Sequence, residues 1–336
     1  MIYPSFLKPG DTIGVCAPSG GNSKEFDRYR FQYAKQHFEE KGFSVLPTNH
    51  VLTGEEHGRS ADAKIRKKEL MDLWEDPHVP VIISAKGGDY FMEILPCLDF
   101  EKMAKTPTLF QGFSDNTCLT FPLTVLCDMA SVYGTNFNDF AMSPWHPALE
   151  QNVKILQKQS VTQCTFPYYE NAFYEEEDPT AVYHKDLPSV AICDKERVTV
   201  QGRMLGGCLD VLITLCGTPY GSITPFLEKY AEDGILWYLE SFATDDASLI
   251  RSLWQLKEAG WFQTAKGFIF GRPMFFESST GYTYEEGARL VLKDCHVPLI
   301  FQTDIGHKAP QFTIVNGSVG TWTYESGKSE FTMDFR

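Results

Sequence analysis

Thr108-Leu109-Phe110-Gln111-Gly112-Phe113-Ser114-Asp115-Asn116-Thr117 carries the sequence from one kind of structure to another. Residues 108–111 form a short apolar run that reads as a buried strand. Gly112 opens a turn, and an apolar stretch to about residue 129 has the length and pattern of a helix. Upstream the same unit recurs. Residues 11–17 (DTIGVCA) lie between Pro9-Gly10 and Pro18-Ser19-Gly20 and read as a strand. Residues 24–41 space Phe26, Tyr29, Tyr33 and Phe38 among charges and stop at Gly42, the pattern of a helix with a glycine C-cap. Residues 43–46 are a second strand, 60–74 a helix that Ser60 would cap, 79–84 a third strand, and 91–98 a short helix or turn. This strand–helix alternation predicts an α/β fold with a mostly parallel, Rossmann-like sheet and flanking helices.

Beyond residue 143 the pattern changes. Residues 143–188 are rich in Tyr, Glu and Pro and read as an excursion with at most short strands, its acidic run 175–178 a solvated loop. Strands are expected at 198–202, 234–239, 267–271, 297–301 and 317–322, with helices at 246–259 and 284–293. The chain therefore divides into an α/β domain at 1–145, an excursion at 146–188 and a smaller β-rich α+β domain at 189–336. Its 336 residues suit two domains of roughly 100–200 residues each.

Thirty basic against 44 acidic residues give a net charge of −14, which disfavours nucleic acid and anionic lipid as partners. Hydrophobic content of 43% and charged content of 22% are those of an ordinary globular protein. Nine cysteines without C-x-x-C spacing read as reduced, buried thiols of a cytoplasmic protein. Residues 1–10 lack the charged start and apolar core of a signal peptide, and no stretch approaches the ~20 apolar residues of a membrane span. G-x-G-x-x-G, Walker A, H-E-x-x-H and zinc-type Cys/His spacing are all absent, so neither cofactor nor metal is expected.

A serine on a strand-to-helix turn faces outward at a helix N-terminus, where free N–H groups favour developing negative charge. Ser114 is thus a candidate nucleophile, although Asn116 stands where G-x-S-x-G has its second glycine; helix capping by Ser114, Asp115 or Asn116 is the simpler reading. Lys86-Gly87-Gly88-Asp89 follows another buried strand and offers unobstructed N–H donors, or merely a turn. Among eight histidines, His307 lies in a glycine-bearing loop after an apolar strand, a common place for catalytic groups and equally for a structural or surface histidine. Glu240 ends the apolar run 234–239 and is either an orienting acid or a plain strand terminator.

In order and spacing these segments resemble the LD-carboxypeptidase family of serine peptidases, which includes the microcin C immunity peptidases. The resemblance rests on Leu7-Lys8-Pro9-Gly10-Asp11-Thr12-Ile13-Gly14, Ala17-Pro18-Ser19, Arg66, Asp76-Pro77-His78-Val79, Gly87-Gly88 and Gly112-Phe113-Ser114-Asp115. It continues through Gly206-Gly207, Leu239-Glu240, Gly271-Arg272-Pro273 and Gly306-His307. It implies a triad of Ser114, Glu240 and His307 in a cleft between two domains. It further implies an oxyanion hole from the N–H groups of Gly88 and Asp115, a homodimer, and hydrolysis of an amide near a free carboxylate. Murein tetrapeptide, cut at its L,D-bond, is the first candidate substrate and an aminoacyl- or peptidyl-nucleotide toxin the alternative. Gly87, Asp89, Arg203, Gly206 and Gly207 are candidate substrate contacts.

The chain departs from the family at Cys208, where an Asn is usual. Gly87-Gly88-Asp89-Tyr90, Leu95-Pro96-Cys97-Leu98-Asp99 and Gly271-Arg272-Pro273 lean toward the microcin branch. The excursion lacks tryptophan and offers Tyr168, Tyr169, Phe173 and Tyr174 instead. Two other readings stay open: a binding protein that does not cleave, and a cysteine-dependent enzyme using Cys118.

Overall fold

The computed structural model describes residues 1–336 except Glu55 and Glu175, so the first residue of the acidic run 175–178 lies outside the described residues. The chain forms two compact units, residues 1–159 with 174–182, and residues 160–173 with 183–336. The second is as long as the first. The divisions expected from sequence fall after residues 145 and 188.

In the first unit Ser131–Tyr133, Leu109–Gln111, Val81–Ser84, Thr12–Cys16 and Ser44–Pro47 lie side by side in that order, all parallel. Val81–Ser84 is buried at every residue, as a strand covered on both faces must be, which explains its unbroken apolar sequence. Chain direction reverses across the sheet between Thr12–Cys16 and Val81–Ser84. Ligands of open parallel sheets bind outside the carboxyl ends of the strands at such a switch point. The loops leaving those two strands hold Ser19-Gly20 and Gly87-Gly88. Leu109–Gln111, next in the sheet, leads into Ser114 and the helix Thr117–Cys127. That helix is buried nearly all round, so it is apolar throughout rather than striped.

The second unit is built on an eight-stranded mixed sheet. At its centre Arg197–Cys208, Ile235–Glu240, Ala265–Gly271 and Leu299–Thr303 run parallel. Val319–Glu325 and Lys328–Asp334 extend it antiparallel on one side and Ile192–Cys193 on the other. Strand Ile235–Glu240 is buried at all six positions, and its parallel neighbours make its last residue open on the carboxyl edge of the sheet.

Several local expectations change. Residues 143–188 include the helix Pro147–Leu156, with proline in its first turn, where the missing N–H costs nothing. Ser60 does not cap its helix. Asp62 accepts from the Lys64 N–H, and the Ser60 hydroxyl donates to the Ala17 carbonyl 2.6 Å away. The strand expected at 198–202 runs Arg197–Cys208, and Lys328–Asp334 is an additional strand. Of the nine free cysteines, four are buried while Cys97 and Cys164 are exposed, so burial is not general. No helix among the described residues is long and apolar enough to cross a membrane.

Candidate active site

Ser114 sits immediately after the parallel strand Leu109–Gln111 with φ +66°, a left-handed conformation that a serine adopts only at a cost of order 1–3 kcal/mol. The turn is tied from both sides. The Asn116 amide donates to the Phe113 carbonyl at 3.0 Å and to Oδ1 of Asn136 at 3.1 Å. The side chain of Asp115 is buried and accepts from the Ser19 hydroxyl at 2.5 Å and from the Phe91 N–H at 2.9 Å. Burial raises its carboxyl pKa above the ordinary range, against those hydrogen bonds. Asp115 therefore joins the serine turn to the loops around residues 19 and 91.

Gly87 lies against Ser114. A Cβ there would stand 3.1 Å from the serine Oγ and 3.8 Å from the Asp115 nitrogen. A side chain would fill the space in front of the hydroxyl and the amide, so the close approach demands glycine. The Gly87 carbonyl accepts from the Gly20 N–H at 3.2 Å. In a trans peptide the Gly88 N–H then points the opposite way. Gly88 and Asp89 are both exposed. Behind this loop the buried guanidinium of Arg66 donates to the carbonyls of Ala61, Pro18 and Tyr90, each at 2.9 Å, and pairs with Glu93.

In the second unit Nδ1 of His307 lies 2.8 Å from Oε2 of Glu240. The Glu240 side chain is fully buried and the imidazole nearly so. A carboxylate only accepts, so Nδ1 carries the hydrogen of this contact. Gly306, at φ +90°, makes the approach feasible: a Cβ there would stand 2.5 Å from Oε2 of Glu240. The Phe242 ring centroid is 4.6 Å from that of the imidazole. Asp210 accepts from the Phe242 and Ala243 N–H groups and so fixes the chain leaving Glu240. Burial and then the Glu240 charge raise the Asp210 pKa.

The remaining candidates separate. Gly206 and Gly207 lie in strand Arg197–Cys208 opposite Tyr238 and Leu239, and Cys208 stands opposite Glu240. Burial, then the charges of Glu240 and Asp210, push the Cys208 thiol well above its usual range, so it is a neutral thiol beside the acid. Arg203 is at the other end of that overlap, opposite Ile235. It is buried, its Nε 2.7 Å from Asp233 and its Nη1 donating to the Gly317 and Arg336 carbonyls. These contacts tie the guanidinium into the framework, away from the edge that carries Glu240. Cys118 is buried in the helix Thr117–Cys127, its thiol pKa raised by burial and by Asp115, the reverse of an activated thiolate. Sequence reasoning missed the roles of Asp115, Asp210 and Arg272. Each carries a carboxylate or guanidinium whose partners lie far along the chain; the sequence marks Asp115 only as a possible helix cap and for its backbone N–H, and Arg272 only within Gly271-Arg272-Pro273. No group of three or more His, Cys, Asp or Glu among the described residues is placed to hold a metal.

The Microcin C7 self-immunity protein MccF of Escherichia coli is 26% identical over 330 residues, covering 93% of this chain and 90% of that protein. The structure of MccF in complex with aspartyl sulfamoyl adenosine superposes with a TM-score of 0.82 at 20% identity, over 100% of this chain and 99% of the other. That of a muramoyltetrapeptide carboxypeptidase from Oxalobacter formigenes gives 0.75 at 21% identity, over 96% and 99%. Residues 13–134 match the LD-carboxypeptidase N-terminal domain and residues 201–321 the LD-carboxypeptidase C-terminal domain. The chain belongs to the LD-carboxypeptidase family of serine peptidases.

Proposed function

We propose that the protein is a serine carboxypeptidase in which Ser114, His307 and Glu240 form the triad. The buried 2.8 Å contact between the His307 imidazole and the Glu240 carboxylate carries this reading. In the mechanism Oγ of Ser114 attacks the scissile carbonyl carbon while Nε2 of His307 takes the hydroxyl proton. Glu240 holds the ring in its tautomer and stabilises the imidazolium. The N–H groups of Gly88 and Asp115 receive the oxyanion. His307 then passes its proton to the leaving amine as the C–N bond breaks. The imidazole then takes a proton from a water that attacks the acyl ester, and passes it to Oγ of Ser114 as the ester C–O bond breaks, releasing the acid product. The strained turn at Ser114 and the glycine-lined space before it support this assignment.

The favoured substrate is a peptide whose scissile amide adjoins a terminal carboxylate, such as the L,D-bond of murein tetrapeptide. An aminoacyl- or peptidyl-nucleotide is the second reading, and one observation favours it. Aromatic rings extend from His307 through Phe242 and Phe275 to Phe173, with successive centroids 4.6, 5.2 and 6.5 Å apart. Phe173 and Phe275 are exposed and offer faces on which a base can stack. The nine free thiols fit a reducing, cytoplasmic setting, and a homodimer accompanies the family reading.

The test is one parallel assay read by mass spectrometry, with murein tetrapeptide in one arm and an aminoacyl sulfamoyl adenosine in the other. A fluorophosphonate probe should label the wild type and not Ser114→Ala. Absence of labelling would return the chain to a binding role without cleavage.

A further inference from the structure

A peptidase that acts beside a free carboxylate needs a cation to receive it. Arg203, the cation expected for this from sequence, is tied to Asp233 and two backbone carbonyls. The carboxyl edge of the second unit's parallel strands holds two others. Arg272 directly follows strand Ala265–Gly271, and Lys308 directly follows His307. Arg272 is only 1% exposed. Its Nη1 donates to Oδ1 of Asp304 at 2.7 Å, and its guanidinium lies 4.1 Å from the Tyr169 ring centroid. Nη2 is buried and has no hydrogen-bond partner among the described residues.

Lys308 is half-buried. Its Nζ donates to the neutral Oδ1 of Asn171 at 2.9 Å. Burial first, then the nearby Arg272 charge, push the ammonium below its ordinary pKa range, so the two cations feel each other. Asp304 is the carboxylate that pairs with Arg272. It is buried and also accepts from the Phe166 N–H at 3.0 Å and, more weakly, from Ser189 at 3.5 Å. Arg272 thus has its own carboxylate, whereas Lys308 has no ion-pair partner among the described residues and only the neutral amide of Asn171. In a chain with 44 acidic and 30 basic residues, a half-buried ammonium left beside a second cation without a carboxylate of its own is costly unless something anionic completes it.

We propose that Arg272 and Lys308 form the subsite for the substrate's free carboxylate. Lys308, at the lip, meets the carboxylate, and Arg272 beneath it supplies the second positive charge. This deepens the carboxypeptidase reading and rests on it. Lys308 directly follows His307, so the subsite shares a loop with the base that passes its proton to the leaving amine.

The experiment compares a tetrapeptide carrying a free C-terminal carboxylate with the same peptide as its C-terminal amide, for the wild type, Lys308→Gln and Lys308→Arg. The wild type should prefer the acid by at least about tenfold in kcat/KM, the scale of a charge-assisted hydrogen bond. Lys308→Gln should collapse that ratio toward one, chiefly through a higher KM on the acid, with a circular dichroism spectrum that superposes on the wild type. Lys308→Arg should restore most of the preference. A wild type indifferent to the amide, or a Lys308→Gln variant that keeps the preference, overturns the subsite. If neither peptide is cleaved, the carboxypeptidase reading fails on its own, and the subsite is tested by free D-alanine. D-Alanine should slow fluorophosphonate labelling of wild-type Ser114 and do so at least tenfold less effectively in Lys308→Gln. Labelling of the wild type that ignores D-alanine, or equal protection in both proteins, overturns the proposal.

Discussion

Around Ser114 the polar groups proposed to meet the reacting atoms belong to the backbone, and side chains such as Asp115 and Arg66 hold the loops behind them. Around His307 the order is reversed: a buried carboxylate touches the imidazole directly, and the backbone's part is to leave room at Gly306. On the proposed mechanism the first unit shapes a position for charge that develops during reaction, whereas the second stores a charge already present. Damage should differ accordingly. Steric changes should tell most in the first unit and changes of charge in the second.

Ser114→Ala is the exception that both units must obey, because it removes the bond-forming atom. A loss of about 10⁴–10⁶ in kcat is expected, the scale seen for removal of a triad serine. Unfolding by denaturant should leave Cm near the wild-type value. A variant with substantial turnover would remove the nucleophile from the scheme.

Glu240→Gln tests the second unit's dependence on charge. It keeps the shape but offers an amide in place of the carboxylate that fixes the Nδ1 tautomer. A fall of about 10⁴ in kcat is expected by analogy with loss of a triad acid. Retention of more than a tenth of the activity would show that the pairing is structural. Gly87→Ala is the counterpart in the first unit. The added methyl would stand 3.1 Å from Oγ of Ser114 and beside the Asp115 nitrogen, where the oxyanion would form. A loss of about 10²–10³ in kcat, with KM little changed, matches the loss of one oxyanion donor. A larger effect on KM than on kcat would move Gly87 from the oxyanion site to substrate binding.

What could be read from the sequence follows the range of the forces involved. Strand Val81–Ser84 and the turn at Ser114 were legible because local apolar runs and turn residues determine them. Helix Pro147–Leu156 was hidden by Pro147, which reads as a breaker although a first-turn proline starts helices well. Strand Lys328–Asp334 buries Ser329 with Phe331, so its inward face is not uniformly apolar. Arg203 and Arg272 look alike as single letters; they differ only in place, Arg203 within strand Arg197–Cys208 and Arg272 just past the end of strand Ala265–Gly271, and in partners such as Asp233 and Asp304. Glu240 and His307 are 67 residues apart, and no local pattern joins them; the family resemblance did.

The smallest effect expected is also the one that probes charge in the first unit. Glu93 pairs with Arg59 and with the buried Arg66, whose other donors grip the Pro18 and Tyr90 carbonyls on either side of the Gly20–Gly87 contact. The Arg59 hydrogen bond, then Arg66, outweigh burial and hold the Glu93 carboxyl below its ordinary value of 4.5. A depressed folded-state pKa adds stability above the unfolded value, and that stability is lost as pH falls through the folded one. Because the carboxylate is partly exposed, Glu93→Gln should cost only about 1 kcal/mol at pH 7. In denaturant titrations the gap from wild type should begin to shrink near pH 4.5 and close below the lowered value. A gap that persists unchanged into that acid range would mean that Glu93 acts by shape, and the first unit would then owe its loop positions to packing alone.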